Sequence, residues 1–225
     1  MFRLGRVPGV ERPALATPLP TVSGGQALLV DVGANVDCLP EYLLSFAIMG
    51  SAYMRQVMGI ENPRVALLGI GEEAEKGNQQ TKAAYALLER SGLNFIGNLE
   101  ARGVPMGEAD VCVADGFAGN ILLKSMEGIS KAMFKLLKEE LYATPRAKIG
   151  ALLAKGAFAS LKKKMDPDEV GGAPLLGVDG AVIKAHGNSN AHAFFCAIRQ
   201  ARRMLEGDVV GIIRNEMTHP THKEV

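Results

Sequence analysis

The chain has 225 residues, 48% hydrophobic and 22% charged, the composition of a globular protein large enough to bury a sizeable core. A formal net charge of +1, no tryptophan and 5% aromatics argue against nucleic acid as a partner. The N-terminus has no secretory apolar run and no uncharged stretch reaches membrane-spanning length, while Cys38, Cys112 and Cys196 are scattered without CxxC spacing. A soluble, cytoplasmic chain with reduced cysteines is the expectation.

In chain order, residues 1–25 are punctuated by proline and glycine and read as a lead-in, with a turn at 21–25. A short buried strand is expected at 27–31, closed by Val32-Gly-Ala-Asn35, then an apolar helix at 43–57 with Gly59 as C-cap. A second strand follows at 64–69, a helix at 76–90 closed by Gly92, and a third strand at 94–97. A fourth strand at 111–115 leads to a long helix at about 120–141, whose Leu122, Met126, Ile129, Met133, Leu136 and Leu137 recur at three- and four-residue steps. Pro145 breaks it, and another helix runs to Lys164. Asp166-Pro-Asp-Glu169 has the N-cap, N1 proline and N3 glutamate of a short helix start. Short strands at 175–178 and 181–184 flank a turn at Val178-Asp-Gly180, a last helix covers about 188–205, and 219–225 is a frayed tail. Strand alternating with helix predicts an α/β fold with a mainly parallel sheet, with few strands for its size.

Three glycine-turned segments hold the residues with chemistry. Gly69-x-Gly71-x-x-Ala74 loosely matches a dinucleotide fingerprint, but Glu72, Glu73 and Glu75 would sit where a pyrophosphate needs positive potential. Lys76 and Asn78 are the better candidates there, with a plain surface lysine as the alternative. In Asp115-Gly-Phe-Ala-Gly-Asn120, Gly116 and Gly119 would let the backbone approach a ligand and Asn120 would offer an amide, unless Asp115 simply caps the helix. The third segment clusters Lys184, His186, Gly187 and Ser189 before a helix, and its Gly-Asn-Ser backbone could form an anion nest. The three together suggest one composite site. His192, His219 and His222 read as surface residues, and no metal-ligand spacing or covalent-nucleophile motif stands out.

Residues 145–164 carry six basic side chains and no acidic one. Lys148, Lys155 and Lys162 are heptad-spaced, while Ile149, Leu152, Leu153 and Phe158 form an apolar arc. Such a basic amphipathic element suits an anionic membrane surface or a partner subunit.

Five motifs in order, Asp31-Val-Gly-Ala-Asn-Val-Asp37, Phe46-Ala-Ile-Met-Gly50, Gly71-Glu-Glu-Ala-Glu-Lys-Gly-Asn78, Asp115-Gly-Phe-Ala-Gly-Asn120 and Gly172-Ala-Pro-Leu-Leu-Gly-Val-Asp-Gly180 with Lys184-Ala-His-Gly187, resemble the phosphate acyltransferase family of bacterial phospholipid synthesis. The resemblance implies a homodimeric three-layer α/β/α fold, like isopropylmalate dehydrogenase and phosphotransacetylase, with a protruding helical hairpin at about 120–165. It implies transfer of a long-chain acyl group from acyl carrier protein to inorganic phosphate, without metal or other cofactor. The product would pass to a membrane glycerol-3-phosphate acyltransferase, so the enzyme would be cytoplasmic and peripherally membrane-associated. With it, Lys76, Asn120 and His186 are expected in catalysis, and Asn78, Asp115, Gly116, Gly119, Lys184, Gly187 and Ser189 in substrate binding.

Family members normally begin with a further α/β segment carrying Asp-Ala-Met-Gly-Gly-Asp. This chain opens at Leu4-Gly-Arg-Val-Pro-Gly-Val-Glu-Arg-Pro13, which resembles the family's middle, so residues 1–225 are expected to be one N-terminally incomplete α/β domain. A short-chain acyl-CoA:phosphate transferase and an inactive remnant serving dimer or membrane contact are the alternatives.

Overall fold

A computed structural model describes residues 3–164, 171–187 and 189–219. The helix start expected at 166–169, Asn188 and His222 lie outside the described residues. Seven strands, β1 (Ala14–Pro20), β2 (Gln26–Val30), β3 (Val65–Gly69), β4 (Phe95–Glu100), β5 (Val111–Val113), β6 (Ala173–Leu176) and β7 (Ile183–Lys184), form one sheet in the order β4-β3-β5-β2-β1-β6-β7. The sheet is therefore fuller than expected. Its β4-β3-β5-β2 half is parallel, while β1 runs antiparallel to β2 and β6, and β7 to β6.

Two-residue alternation sends these strands' side chains into two cores. Leu28, Val30, Val65, Leu67, Val111 and Val113 face one core, shared with α1 (Pro40–Met58), α2 (Gln79–Glu89), α7 (Ala191–Glu206) and α8 (Val209–Thr218). Leu29, Ala66 and Cys112 face the other, under α3 (Gly103–Met106) and the first turns of α4 (Gly116–Ala143). The layers are thus α/β/α.

α3 forms where no element is expected, α4 starts at Gly116 instead of about 120, and β6 and β7 start two residues before and two residues after their expected starts, respectively; four other elements depart further. The lead-in is not a loose segment: Val7 and Val10 are buried, and β1 occupies the middle of the sheet. Its prolines are tolerated for a directional reason. Leu15 N–H donates to Asp31 and Thr21 N–H to Gly25 O, so odd-numbered residues point their N–H groups toward β2. Pro18 and Pro20 face the other side, where β6 pairs only with Ala14 and Leu15 and asks for no donor. After Leu205 the chain forms α8, capped by Asp208 and docked on α1 by the Arg55–Glu216 ion pair. Finally, α2 begins at Gln79 rather than Lys76, and the helix after Pro145 divides at Ala154 into α5 (Pro145–Leu153) and α6 (Lys155–Lys164).

At 28 residues, α4 is about 42 Å long, and its core contacts end near Met126. Beyond that point Ile129, Met133 and Leu136 are exposed, as are Ile149, Leu152 and Leu153 of α5, which packs back on α4. The hairpin is present. The break at Ala154 puts Lys148 and Lys155 on different helices, so the heptad-spaced lysines do not share one continuous helix face.

Arg64 ties the start of β3 to the approach to β5. Its backbone N–H and side chain both donate to Asp110, at 2.7 and 2.9–3.1 Å, and its guanidinium also reaches the carbonyls of Gly107 and Glu108. Burial pushes the Asp110 carboxyl up, but the bonds and charge of Arg64 outweigh it and hold the group below its ordinary range. A depressed carboxylate contributes stability above its unfolded value of about 4, and that contribution is lost as the pH falls further. Arg64→Met is therefore expected to cost about 2 kcal/mol in urea unfolding at pH 7. The gap between variant and parent should narrow toward pH 3.

Candidate functional site

The site is organised from the end of β2. Asp31 is fully buried and forms no salt bridge among the described residues. Its Oδ1 accepts from the N–H groups of Leu15 (3.1 Å), Gly33 (3.1 Å) and Ala34 (3.0 Å). Its Oδ2 accepts from Asn35 N–H (2.7 Å) and Asn35 Nδ2 (2.9 Å). Five donors replace the water that a buried carboxylate loses. Asn35 extends the cage: Nδ2 also donates to Pro13 O at 2.8 Å, and its carbonyl accepts from Gly116 N–H at 2.7 Å.

The start of α4 is seated on this loop. A Cβ at Gly116 would stand 2.5 Å from Asn35 O, and one at Gly119 would stand 1.9 Å from Asp31 O. Both glycines thus make a close approach to the protein's own backbone. Asp115 caps α4, with Oδ1 accepting from Ala118 N–H at 2.7 Å. Asn120 is exposed and lies near Gly33, where an added Cβ would meet its side chain at 3.7 Å.

After β3 the chain makes a compact turn, in which Lys76 N–H and Asn98 Nδ2 both donate to Glu73 O. Residues 70–78 separate β3 from α2, so the glycines do not open directly into a helix as a dinucleotide fingerprint requires. Lys76 is exposed on this turn, two residues before Asn78. Asn78 caps α2, its Oδ1 accepting from Thr81 N–H at 2.8 Å, which leaves its amide nitrogen to donate elsewhere.

Val36, Asp37, Cys38, Asn78, Gln80, Asp115 and Phe117 line a cleft of about 380 Å³. It opens at the carboxyl ends of adjacent parallel strands, where α2 leaves for one face of the sheet and α4 for the other. Two helix N-termini converge there. Gln80 is one of the lining residues, and its Nε2 is buried without a hydrogen-bond partner, an unused donor at the cleft wall. Burial pushes the Cys38 thiol up to about 11, so it stays protonated and poorly nucleophilic at neutral pH. The walls carry two carboxylates, Asp37 and Asp115.

The third glycine segment stands elsewhere. β7 runs opposite to β2, and three strand spacings separate them, about 14 Å. Lys184, His186, Gly187 and Ser189 thus follow at the other end of the sheet, and Ser189 N–H closes a local turn on His186 O at 3.0 Å. Within the chain they do not join Asn78 and Asp115 in the cleft. His192 is exposed but lies 3.6 Å from Cys196 Sγ. Sequence reasoning passed over Gln80, Asp37 and Cys38. The signal was there, since the loop after β2 also hangs a glycine turn on an apolar run. Among the described residues no group of three or more His, Cys, Asp or Glu could hold a metal ion.

A family model described as "Fatty acid synthesis protein" matches residues 1–211. The chain belongs to this family. Curated phosphate acyltransferases of Geobacillus thermodenitrificans and Elusimicrobium minutum are 52% and 50% identical to it, over 96% and 100% of its length. The chain spans 66% and 65% of those relatives' own lengths. Among solved structures, a phosphotransacetylase from Streptococcus pyogenes aligns at TM-score 0.54, covering 89% of this chain and 56% of its own. A branched-chain phosphotransacylase from Enterococcus faecalis V583 aligns at 0.51, covering 86% and 64%. Both are 18% identical to this member of the family and share its fold.

Gly119→Ala tests the seating of α4. A Cβ at 1.9 Å from a backbone oxygen forces the helix off the Asp31 loop. The expected cost is about 3 kcal/mol in urea unfolding, whereas Gly150→Ala, inside α5 where a Cβ meets open space, should gain about 0.5–1 kcal/mol.

Proposed function

We propose that the chain transfers a fatty acyl group from acyl carrier protein to inorganic phosphate, with the thioester lying in the cleft between α2 and α4. The relatives' name, phosphate acyltransferase, supports acyl transfer to phosphate. The observation that carries the site assignment is the pair of amides at the start of α2, with Gln80 Nε2 buried and unpartnered.

In this reading a phosphate oxygen attacks the thioester carbonyl. The C–S bond breaks, the carrier leaves as a thiolate that takes up a proton, and acyl phosphate remains. Phosphate is already anionic, so the barrier lies in positioning and in the developing oxyanion. Asn78, Gln80 and Asn120 donate to that oxyanion, and Lys76 holds phosphate at the rim. Asp37 and Asp115 would repel a dianion, which favours the thioester as the cleft's occupant. The segment from Lys184 to Ser189, with His186, has no part in this step because it stands at the other end of the sheet.

The test is acyl phosphate formation from long-chain acyl carrier protein, using these 225 residues. Phosphate-dependent turnover is expected. Gln80→Leu should lower kcat about 100-fold, and Lys76→Ala should act chiefly on the KM for phosphate. A folded chain without turnover, or one that prefers short-chain acyl-CoA, overturns the reading.

The same reading gives the hairpin a place on an anionic membrane surface, where an acyl phosphate product would be consumed. Residues 145–164 lack acidic side chains, and Ile149, Leu152 and Leu153 are exposed; Phe158 is half-buried and the side chain of Lys162 is not described. No helix among the described residues is long and apolar enough to cross a membrane. Leu152→Asp with Leu153→Asp is expected to weaken sedimentation with phosphatidylglycerol vesicles at least tenfold. Binding unaffected by these changes, or equal on zwitterionic vesicles, would exclude this role.

A further inference from the structure

At the end of the sheet away from the cleft, α1, α7 and the β1–β2 hairpin line a second, half-open cavity of about 70 Å³, with Arg199 and Arg203 at its exposed side. One water needs roughly 10–15 Å³ by the same kind of measure. The space suits a small polyatomic group and is too small for a nucleotide or an acyl chain. Gln26, Tyr53, Cys196, Arg199, Gln200 and Arg203 contribute to its lining.

The four residues from α7 follow one another at steps of three, one and three, so Cys196, Arg199, Gln200 and Arg203 share a helix face. Gln200 is only 7% exposed, and its Nε2 donates to the Tyr53 hydroxyl at 2.7 Å. Its Oε1 is buried and has no partner. A buried acceptor left unmatched marks a place where a donor belongs. The Tyr53 hydroxyl, having accepted from Gln200, keeps a proton of its own to give.

The arginines supply the charge. Neither Arg199 nor Arg203 is ion-paired to a carboxylate among the described residues. Arg199 is held in place, with Nη2 3.3 Å from Cys196 Sγ and the guanidinium 5.7 Å from the Phe195 ring centroid. Two unneutralised guanidiniums one helical turn apart are suited to the oxygens of a tetrahedral anion.

We infer that this cavity binds a phosphate that still carries a proton, its anionic oxygens taken by Arg199 and Arg203 and its P–OH donating to Gln200 Oε1. Sulfate has the same shape but no proton at neutral pH, so it would leave the Gln200 oxygen unmatched. Inorganic phosphate keeps a P–OH throughout the neutral range, whereas a phosphomonoester, with its second pKa at about 6, is there mostly an unprotonated dianion and a phosphodiester has no P–OH at all. The inference is independent of the acyl-transfer reading.

The test is a titration of the 15N-labelled chain, following the Gln200 side-chain amide by NMR with inorganic phosphate, methyl phosphate, dimethyl phosphate and sulfate in turn. A saturating shift with inorganic phosphate is expected at pH 7.5, with sulfate and dimethyl phosphate at least tenfold weaker and methyl phosphate at least fivefold weaker. Methyl phosphate should bind weakly at pH 7.5 and gain at least fivefold at pH 5.5, where it regains its P–OH; equal binding of methyl phosphate at both pH values would count against the proton's role. Arg199→Gln and Arg203→Gln should each weaken phosphate at least tenfold, while Lys76→Ala should leave the response intact whether or not it abolishes turnover. No saturating shift, an equal response to sulfate (an adventitious ion only), or unchanged affinity in both arginine variants would overturn the inference.

Discussion

The rest of the site depends on a carboxylate that never meets water. Asp31 ends β2 inside the protein, and the five donors around it come from β1, from its own loop and from Asn35. Four of those donors are backbone N–H groups, which cannot rotate away, so the ionised oxygen fixes the path of the chain. An amide could not take its place, because its nitrogen would face N–H groups that need an acceptor. Through Asn35 the same cage reaches Pro13 and Gly116, so one buried charge sets both the position of β1 and the seat of α4. The cleft is what remains open above that seat.

The sheet's two halves then do different work. In the parallel half, the neighbouring strands β3 and β5 send helices to opposite faces, and the resulting crevice gathers amide donors, a neutral thiol and two carboxylates. In the antiparallel half, β6 and β7 form a hairpin, which closes the sheet instead of opening a crevice. Charge follows the same division. The cleft's polar lining is acidic or neutral, whereas the cavity beside α7 has two arginines and no carboxylate in its lining. A small dianion is therefore better matched to the cavity, and an uncharged acyl thioester to the cleft.

How much of this could be read from the sequence follows from which forces are local. The strands at β2, β3 and β5 and the long α4 carry strong periodicity, and their turns are glycine-marked, so their order and their edge of the sheet were legible. β1 was not, because two prolines argue against a central strand unless it is known which side each N–H faces. That is a property of pairing, not of the segment. The glycines of Asp115-Gly-Phe-Ala-Gly-Asn120 were legible as points of close approach, but the sequence does not say what approaches, and the answer is the Asp31 loop. The segment from Lys184 to Ser189 looked like a strand-to-helix corner beside the others. Only strand direction shows that a hairpin carries it to the far end. Gln80 lies just past the motif that ends at Asn78, and its importance rests on burial alone.

One helix joins the interior to the hairpin. The first turns of α4 hold Asp115 at the cleft and Gly119 against Asp31 O, and the same helix runs without a proline to Ala143. Its inner third is fixed by Ala118, Leu122 and Met126 against the smaller core, and its outer part is braced chiefly by α5. A helix fixed at one end and loaded at the other either bends between or transmits the load. Gly128 is the weak point for bending, since it lies just past the last core contact, has open space beside it and lacks a side chain to stiffen the turn. Whatever covers Ile129, Met133 and the α5 leucines therefore acts on the cleft only to the extent that Gly128 holds straight. Replacing that glycine with alanine, which its surroundings permit, would strengthen the connection without touching either end.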